Sequence, residues 1–116
     1  MVTSLNIKFH NISASEAIEA DIRKRAEKLY QISDRINRCD VTVETSGKHK
    51  QQGHLYEVRI DLTIPGAEIA LNRIHPNEDA YVAVRDAFDA VTRKLKEHIQ
   101  VQRGDVKTHE TPPTAV

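Results

Sequence analysis

Two clusters of basic side chains are the residues of this chain whose types and spacing are best suited to chemistry. The first cluster comprises Arg23, Lys24, Arg25 and Lys28, and the second comprises Arg85, Arg93, Lys94 and Lys96. Both clusters lie in segments whose apolar residues recur every three or four positions, which is the spacing of an amphipathic helix. If two such helices lie side by side, their cations form a stripe that suits the phosphate backbone of a nucleic acid.

Ion pairing within each helix explains the same residues equally well. The pairs available at i,i+4 spacing are Glu19 with Arg23, Asp21 with Arg25, and Asp89 with Arg93. These pairs leave Lys24, Lys28 and Lys96 without a partner at that spacing. Spacing alone therefore does not decide between a solvated helix face and a phosphate-binding face.

The remaining reactive residue types do not assemble into a catalytic pattern. The sequence contains none of the common nucleophile, phosphate-loop or metalloprotease motifs. Cys39, the only cysteine, alternates with Val41 and Val43, so we expect it to be a small buried apolar residue. His49 and His54 share a polar loop that lacks the further ligands of a structural metal site. We expect no enzymatic activity, cofactor, bound metal or small-molecule substrate.

The composition indicates one domain in a reducing compartment. The 116 residues suit a single core, and one cysteine cannot form a disulfide within the chain. No signal-peptide pattern and no membrane-spanning apolar run is present, so we expect a cytoplasmic protein without a membrane partner. Lys plus Arg equals Asp plus Glu, at 17 each, so any RNA binding must come from charge segregated onto one face.

Apolar periodicity predicts four strands and two helices. Strands are predicted over 5–9, 39–45, 56–64 and 68–72, where apolar and polar residues alternate. The first helix is predicted over 15–31, with either Ser13 or Ser15 as its N-cap. The second helix is predicted to open at 75–79, with Pro76 in its first turn.

The order β-α-β-β-β-α predicts a single α+β domain with a four-stranded mixed sheet. The first two strands are joined through a helix and are expected to be parallel, whereas strands two to four form an antiparallel meander. Pro65-Gly66 suits the centre of a type II turn between strands three and four. Both helices are expected to pack on one sheet face. The predicted domain covers 1–101, and 102–116 form a disordered tail.

Three aromatic residues are predicted to lie in the core. Tyr56 is in phase with the apolar residues of strand three, and Tyr81 and Phe88 fall on the apolar stripe of the second helix. The residues expected on the opposite sheet face include Glu44, Glu57, Arg59 and Asp61. A face that carries acids and no aromatic ring is unsuited to stacking RNA bases.

Several motifs in a fixed order resemble the ribosome hibernation-promoting factor family, whose members are also described as ribosome-associated inhibitors, protein Y and sigma-54 modulation proteins. The motifs are Ser15-Glu16-Ala17-Ile18, Lys28-Leu29-Tyr30-Gln31-Ile32-Ser33-Asp34-Arg35-Ile36, Asp79-Ala80-Tyr81-Val82-Ala83-Val84, Ala87-Phe88-Asp89 and Arg93-Lys94-Leu95. The resemblance covers roughly residues 4–99 and corresponds to the short form of the family. It implies the same βαβββα fold.

The resemblance also implies a function, namely translation inhibition in idle ribosomes. The partner would be the small ribosomal subunit and its ribosomal RNA, with the channel for messenger and transfer RNA occluded and no cofactor. Carried over by position, the RNA-binding residues would be Lys24, Arg25, Lys28, Arg93 and Lys96, with Lys94 and Arg85 weaker. Without a dimerisation domain, ribosome dimerisation by the chain's own tail is not expected.

An alternative function stays open at this point. Zero net charge favours a protein-interaction regulator that keeps the same fold but does not bind RNA.

Overall fold

The computed structural model of the chain describes residues 4–33, 35–46, 55–71 and 76–103. Its elements are β1 (Ser4–His10), α1 (Glu16–Ile32), β2 (Arg38–Ser46), β3 (Leu55–Ile64), β4 (Ala67–Ala70) and α2 (Ala80–Arg103). The predicted order of strands and helices is confirmed. In this part of the chain, neither helix is long and apolar enough to cross a membrane.

The four strands form one mixed sheet in the order β1-β2-β3-β4. β1 pairs with β2 in parallel, whereas the β2–β3 and β3–β4 pairs are antiparallel. The register places Ile7 beside Val41 and Val41 beside Ile60, so the apolar residues of neighbouring strands share one face. Because side chains alternate along a strand, this register turns the polar residues to the other face.

Both helices cover the apolar face of the sheet, as predicted. α2 packs on β3 and β4, and it also contacts α1. The fully buried side chains include Ile22 and Leu29 from α1, Val84, Val91 and Leu95 from α2, and Val41, Val43, Val58, Ile60 and Leu62 from the strands. Their burial is the main source of stability and fixes the helices against the sheet.

The two helices run in the same direction. β4 is parallel to β1, because two successive antiparallel pairings separate it from β2, and each of these strands is followed by a helix that returns across the same face. The helix N-termini therefore share one end of the molecule, where Ser15 and Asp79 border a common hollow. At the other end, Ile32 and Leu95 border a second hollow.

The N-cap of α1 resolves the choice that the sequence left open. Ser15 is extended, and its hydroxyl oxygen accepts a hydrogen bond of 3.2 Å from the Ile18 backbone N–H. This is the standard side-chain cap of a helix start, and it satisfies a donor that has no partner within the helix. Ser15, and not Ser13, is therefore the N-cap of α1.

The predicted start of the second helix was wrong by several residues. α2 begins at Ala80, and Asp79 caps it by accepting a hydrogen bond of 2.9 Å from the Tyr81 N–H. Asn77 instead forms an antiparallel bridge with Tyr56, through backbone hydrogen bonds of 2.8 and 3.1 Å. This long-range pairing holds the chain extended, so Pro76 lies before the helix and not within its first turn.

The predicted turn between the last two strands is confirmed. Gly66 has a φ of 78°, and it follows Pro65 in the two-residue connection of β3 to β4. Position i+2 of a type II turn needs a positive φ, which glycine adopts without steric cost.

Some predictions concern parts of the chain outside the described residues. These are the loop with His49 and His54, residues Asn72 and His75 at the ends of predicted elements, and the tail beyond α2. α2 itself ends at Arg103.

Candidate nucleic-acid interface

Two of the four basic residues of α1 are held in ion pairs. Arg23 contacts Glu19 at 3.0 Å, and Arg25 contacts Asp21 at 2.9 Å, so both predicted pairs of this helix are confirmed. The Arg25 pair is the more protected of the two, with side chains 30% and 22% exposed. These two arginines therefore have internal counter-charges.

The α2 pairs differ from the prediction. The expected pair of Asp89 with Arg93 does not form, and Arg93 is exposed. Arg85 instead contacts its neighbour Asp86 at 3.0 Å. An exposed i,i+4 pair contributes only a few tenths of a kcal/mol and immobilises two long side chains, so spacing alone does not ensure that it forms.

Lys94 is anchored to the sheet and is not free. Its Nζ donates a hydrogen bond of 3.0 Å to the backbone carbonyl of Ala70, the last residue of β4. β4 is an edge strand, and a lysine on its carbonyl occupies a group that could otherwise pair with another chain. Lys94 therefore links α2 to the edge strand of the sheet.

Four cations of the predicted RNA-binding set have no internal partner in the described part of the chain: Lys24, Lys28, Arg93 and Lys96. We call these residues the free cations. All four are exposed, and neither a salt bridge nor a side-chain hydrogen bond engages them. The free cations are the part of the predicted RNA-binding set that can meet an external anion without first breaking a contact.

The free cations lie at similar heights on neighbouring parallel helices. Lys24 and Lys28 are one turn apart on α1, and Arg93 and Lys96 are one turn apart on α2. At about 1.5 Å of rise per residue, Lys28 lies about 18 Å and Arg93 about 20 Å from the first residue of its helix. Because both helices start at the same end, the free cations lie at comparable distances from that end.

The opposite sheet face carries acidic side chains in facing pairs. Asp40 lies opposite Asp61, and Glu44 lies opposite Glu57, in the β2–β3 register. Among the described residues of this face there is no Phe, Tyr or Trp, since Phe9 and Tyr56 pack against the core. The face is therefore unsuited to base stacking, as predicted, and its facing carboxylates lie on the side of the sheet opposite the helices that carry the free cations.

Cys39 is buried, as predicted, and its thiol is held in the protonated form. Burial raises the pKa of its thiol to about 12, and the carboxylates of Asp40 and Asp61 add to the effect. Burial also raises the pKa of the Tyr30 hydroxyl to about 12. The thiolate is the reactive form of cysteine, so Cys39 is not a nucleophile at neutral pH.

These shifts predict alkaline sensitivity of the fold. Each folded-state pKa lies above the unfolded value of 9.0 for Cys39 and 10.0 for Tyr30, so the stabilisation is complete below about pH 9 and is lost as the pH rises toward 12. Urea unfolding at pH 8 and at higher pH should show this loss of stability, and Cys39→Ala should make the loss smaller.

Burial of Cys39 also predicts that a thiol probe labels it only in urea. Rapid labelling of the folded protein at pH 8 would contradict the burial of this thiol.

Metal ligands do not cluster in the described residues. Nowhere in these ranges do three or more His, Cys, Asp or Glu side chains lie where they could hold a metal ion together.

The prediction that Tyr81 belongs to the core was wrong, whereas Phe88 is buried as predicted. Tyr81 is 45% exposed, although it lies seven residues, or about two turns, before Phe88. It borders a hollow of about 750 Å³ between the N-terminal ends of α1 and α2, so part of its ring meets solvent. Helical spacing predicts which side a residue faces, but not whether another element covers it.

Sequence comparison assigns most of the chain to a known family. The family model described as Sigma 54 modulation protein / S30EA ribosomal protein matches residues 5–103. A curated relative, the ribosome hibernation promotion factor of Bacillus subtilis (strain 168), is 27% identical over 93 residues, which are 80% of this chain and 47% of the relative. The chain thus spans about half the length of this relative.

Two solved structures share the fold. The N-terminal domain of Thermus thermophilus protein Y has a TM-score of 0.68 at 16% identity, with 83% of this chain and 99% of that chain covered. A ribosomal subunit interface protein from Coxiella burnetii has a TM-score of 0.67 at 15% identity, with 83% and 97% covered. At these identities the similarity establishes the architecture.

Proposed function

Because the chain belongs to the Sigma 54 modulation protein / S30EA ribosomal protein family, we propose that it is a ribosome-binding hibernation factor. It binds ribosomal RNA of the small subunit and occludes the channel used by messenger RNA and transfer RNA. The names of its relatives, a ribosome hibernation promotion factor and a ribosomal subunit interface protein, support a role at the ribosome. Such a factor acts in the cytoplasm and needs neither a cofactor nor a substrate.

The observation that carries this proposal is the group of free cations on the two parallel helices. A phosphate backbone gains affinity when protein cations replace its condensed counterions. Lys24, Lys28, Arg93 and Lys96 can do this without losing an internal contact. The acidic sheet face then points away from the RNA, which gives the domain one orientation on its target.

The other three residues of the predicted set contribute in a different way. Arg85 and Asp86 form an exposed pair, which is worth about 0–1 kcal/mol, so Arg85 can exchange its carboxylate for a phosphate at little cost. Arg25 must leave a more protected pair with Asp21. Lys94 must leave the Ala70 carbonyl. We therefore rank these three below the free cations.

The proposed mechanism is steric exclusion of transfer RNA, which requires only that the bound domain be rigid. The helices are fixed against the sheet by a continuous buried core, so the cations are presented without a large ordering cost on binding. A domain seated in the channel by phosphate contacts prevents transfer RNA from occupying the same space.

Competition on the small subunit tests occlusion directly. Labelled transfer RNA bound to messenger-programmed small subunits should be displaced in proportion to the amount of protein bound. The Lys24→Glu/Lys28→Glu variant, added at the same concentration, should leave the transfer RNA in place. Simultaneous binding of the protein and transfer RNA to one subunit would contradict occlusion while leaving ribosome binding intact.

A protein-interaction regulator is the second candidate, and the charge balance favours it. The net charge is zero, and Glu27 and Glu97 are exposed on the same helices as the free cations. Acids at these positions reduce the attraction for phosphate. Binding to a partner that persists at high salt, and in the absence of ribosomal RNA, would support this second function.

A further inference from the structure

The exposed Tyr81 ring stands at the edge of a preformed hollow. The hollow occupies about 750 Å³ and is lined by Ile12, Ile18, Val43, Tyr56 and Tyr81, together with polar residues of the two helix starts. This volume lies in the range of about 300–1,000 Å³ that is usual for small-molecule sites, and the wall combines apolar side chains with the polar residues of the helix starts. The free cations lie farther along the helices.

We propose that Tyr81 stacks on one unpaired nucleobase of ribosomal RNA, which enters this hollow. The inference rests on the proposed function, because it adds a base contact to the phosphate contacts of the same RNA. Aromatic side chains stack on bases that are splayed out of single-stranded loops, and every base offers a face for this contact.

The helix cap fixes the backbone from which the Tyr81 ring projects. It is the second residue of α2, and its backbone N–H donates to the capping carboxylate of Asp79 at 2.9 Å. Asp79 is itself held by a backbone hydrogen bond of 2.8 Å to the side chain of Asn77. The cap and the bridge to Tyr56 therefore hold the backbone at this position, so little backbone ordering is needed when a base stacks on the ring.

The charges around the hollow favour a base over a phosphate. The N-termini of both helices, which carry partial positive charge, border the hollow. Negative charge is already present beside these N-termini, on the exposed side chains of Glu16, Glu78 and Asp79. A phosphate would be repelled by these carboxylates. A base carries no charge, and its exocyclic amino group can donate a hydrogen bond to a carboxylate oxygen.

The distance to the free cations suits a single RNA strand. Tyr81 and Arg93 are twelve residues apart on α2, which corresponds to about 18 Å along the helix axis. A single strand of a few nucleotides can span this separation. One strand can therefore contact the free cations and still place a base in the hollow.

Salt-dependent binding of Tyr81 variants tests the stacking contact. Affinity for purified small subunits is measured for the full chain and for Tyr81→Ala, Tyr81→Phe and Val101→Ala at several salt concentrations. Val101 is 60% exposed on the same helix, so it is a matched control for removal of an exposed apolar side chain. Thermal unfolding of each variant checks that the fold is kept.

The stacking contact predicts a specific pattern. Tyr81→Ala should bind about tenfold more weakly at every salt concentration with an unchanged salt slope, whereas Tyr81→Phe and Val101→Ala should bind within about twofold of the parent chain. A folded Tyr81→Ala that binds like the parent would overturn the stacking inference alone. Failure of the parent chain to bind small subunits at any salt would overturn the proposed function and, with it, this inference.

Discussion

Reversing Lys24 and Lys28 to glutamate together should weaken binding to the small ribosomal subunit by about 100-fold. Both side chains are exposed and unpaired in the described structure, so each can make a charge-assisted contact with a phosphate. Two such contacts, at about 1.5 kcal/mol each, sum to about 3 kcal/mol, which corresponds to about 100-fold in affinity. The salt slope should also decrease, because fewer counterions are released. Equilibrium binding at three or four salt concentrations measures both quantities.

The control for this variant reverses two cations on the other face. Lys8 of β1 and Arg59 of β3 are exposed and lie on the sheet face that carries Asp40 and Glu44. Lys8→Glu/Arg59→Glu changes the net charge by the same amount as the helix variant, so an effect of total charge alone would weaken both equally. Equal loss by the two double variants, or no loss by the helix variant, would contradict the assignment of the interface to the helices.

Truncating Ile22 to alanine should lower the free energy of unfolding by about 2–5 kcal/mol. Ile22 lies in the middle of α1, is fully buried, and belongs to the core that joins the helices to the sheet. The truncation removes apolar burial and leaves a cavity that the surrounding side chains fill only partly. Because a typical domain is stable by only about 5–15 kcal/mol, urea unfolding should show a large decrease in the midpoint.

Val101→Ala is the matched control for the core truncation. Val101 lies near the end of α2 and is 60% exposed, so its truncation should change the free energy of unfolding by no more than about 0.5 kcal/mol. A similar midpoint for Ile22→Ala and Val101→Ala would contradict the placement of α1 against the sheet.

The strands, the first helix and the tight turn were predictable because each rests on local physics. In β3 the buried residues Val58, Ile60 and Leu62 alternate with more exposed ones, and this alternation is visible in the sequence. The cap at Ser15 and the positive φ of Gly66 likewise follow from the preferences of single residues. Sequence spacing is sufficient where the cause of a structure lies within a few residues.

The start of α2 and the exposure of Tyr81 depend on distant parts of the chain, so the sequence did not reveal them. Asn77 is held extended by Tyr56, which lies on another element. Tyr81 satisfies the helical spacing of a core residue, but the hollow beside it is not filled by protein. The apolar spacing within α2 indicates neither the first residue of the helix nor the exposure of Tyr81.

Sequence spacing predicted that Lys24, Lys28 and Lys96 lack a helical partner, and the structure agrees. It did not predict the contacts of Arg93 and Lys94. Lys94 and Lys96 are almost adjacent in sequence, yet Lys94 is bound to the carbonyl of Ala70, 24 residues away, and Lys96 is free in the described structure. Arg93 had a suitable partner at i,i+4 spacing and does not use it. Local pairs within α1 engage Arg23 and Arg25, whereas only a tertiary contact distinguishes Lys94 from the free cations.

Cosedimentation with ribosomes and with separated subunits tests the central proposal most directly. The purified chain should pellet with the small subunit at low salt and be released as salt is raised to a moderate level, because phosphate contacts through Lys24, Lys28, Arg93 and Lys96 carry the affinity. It should not pellet with the large subunit alone. Failure to pellet with the small subunit at any salt concentration would contradict ribosomal RNA binding by this domain.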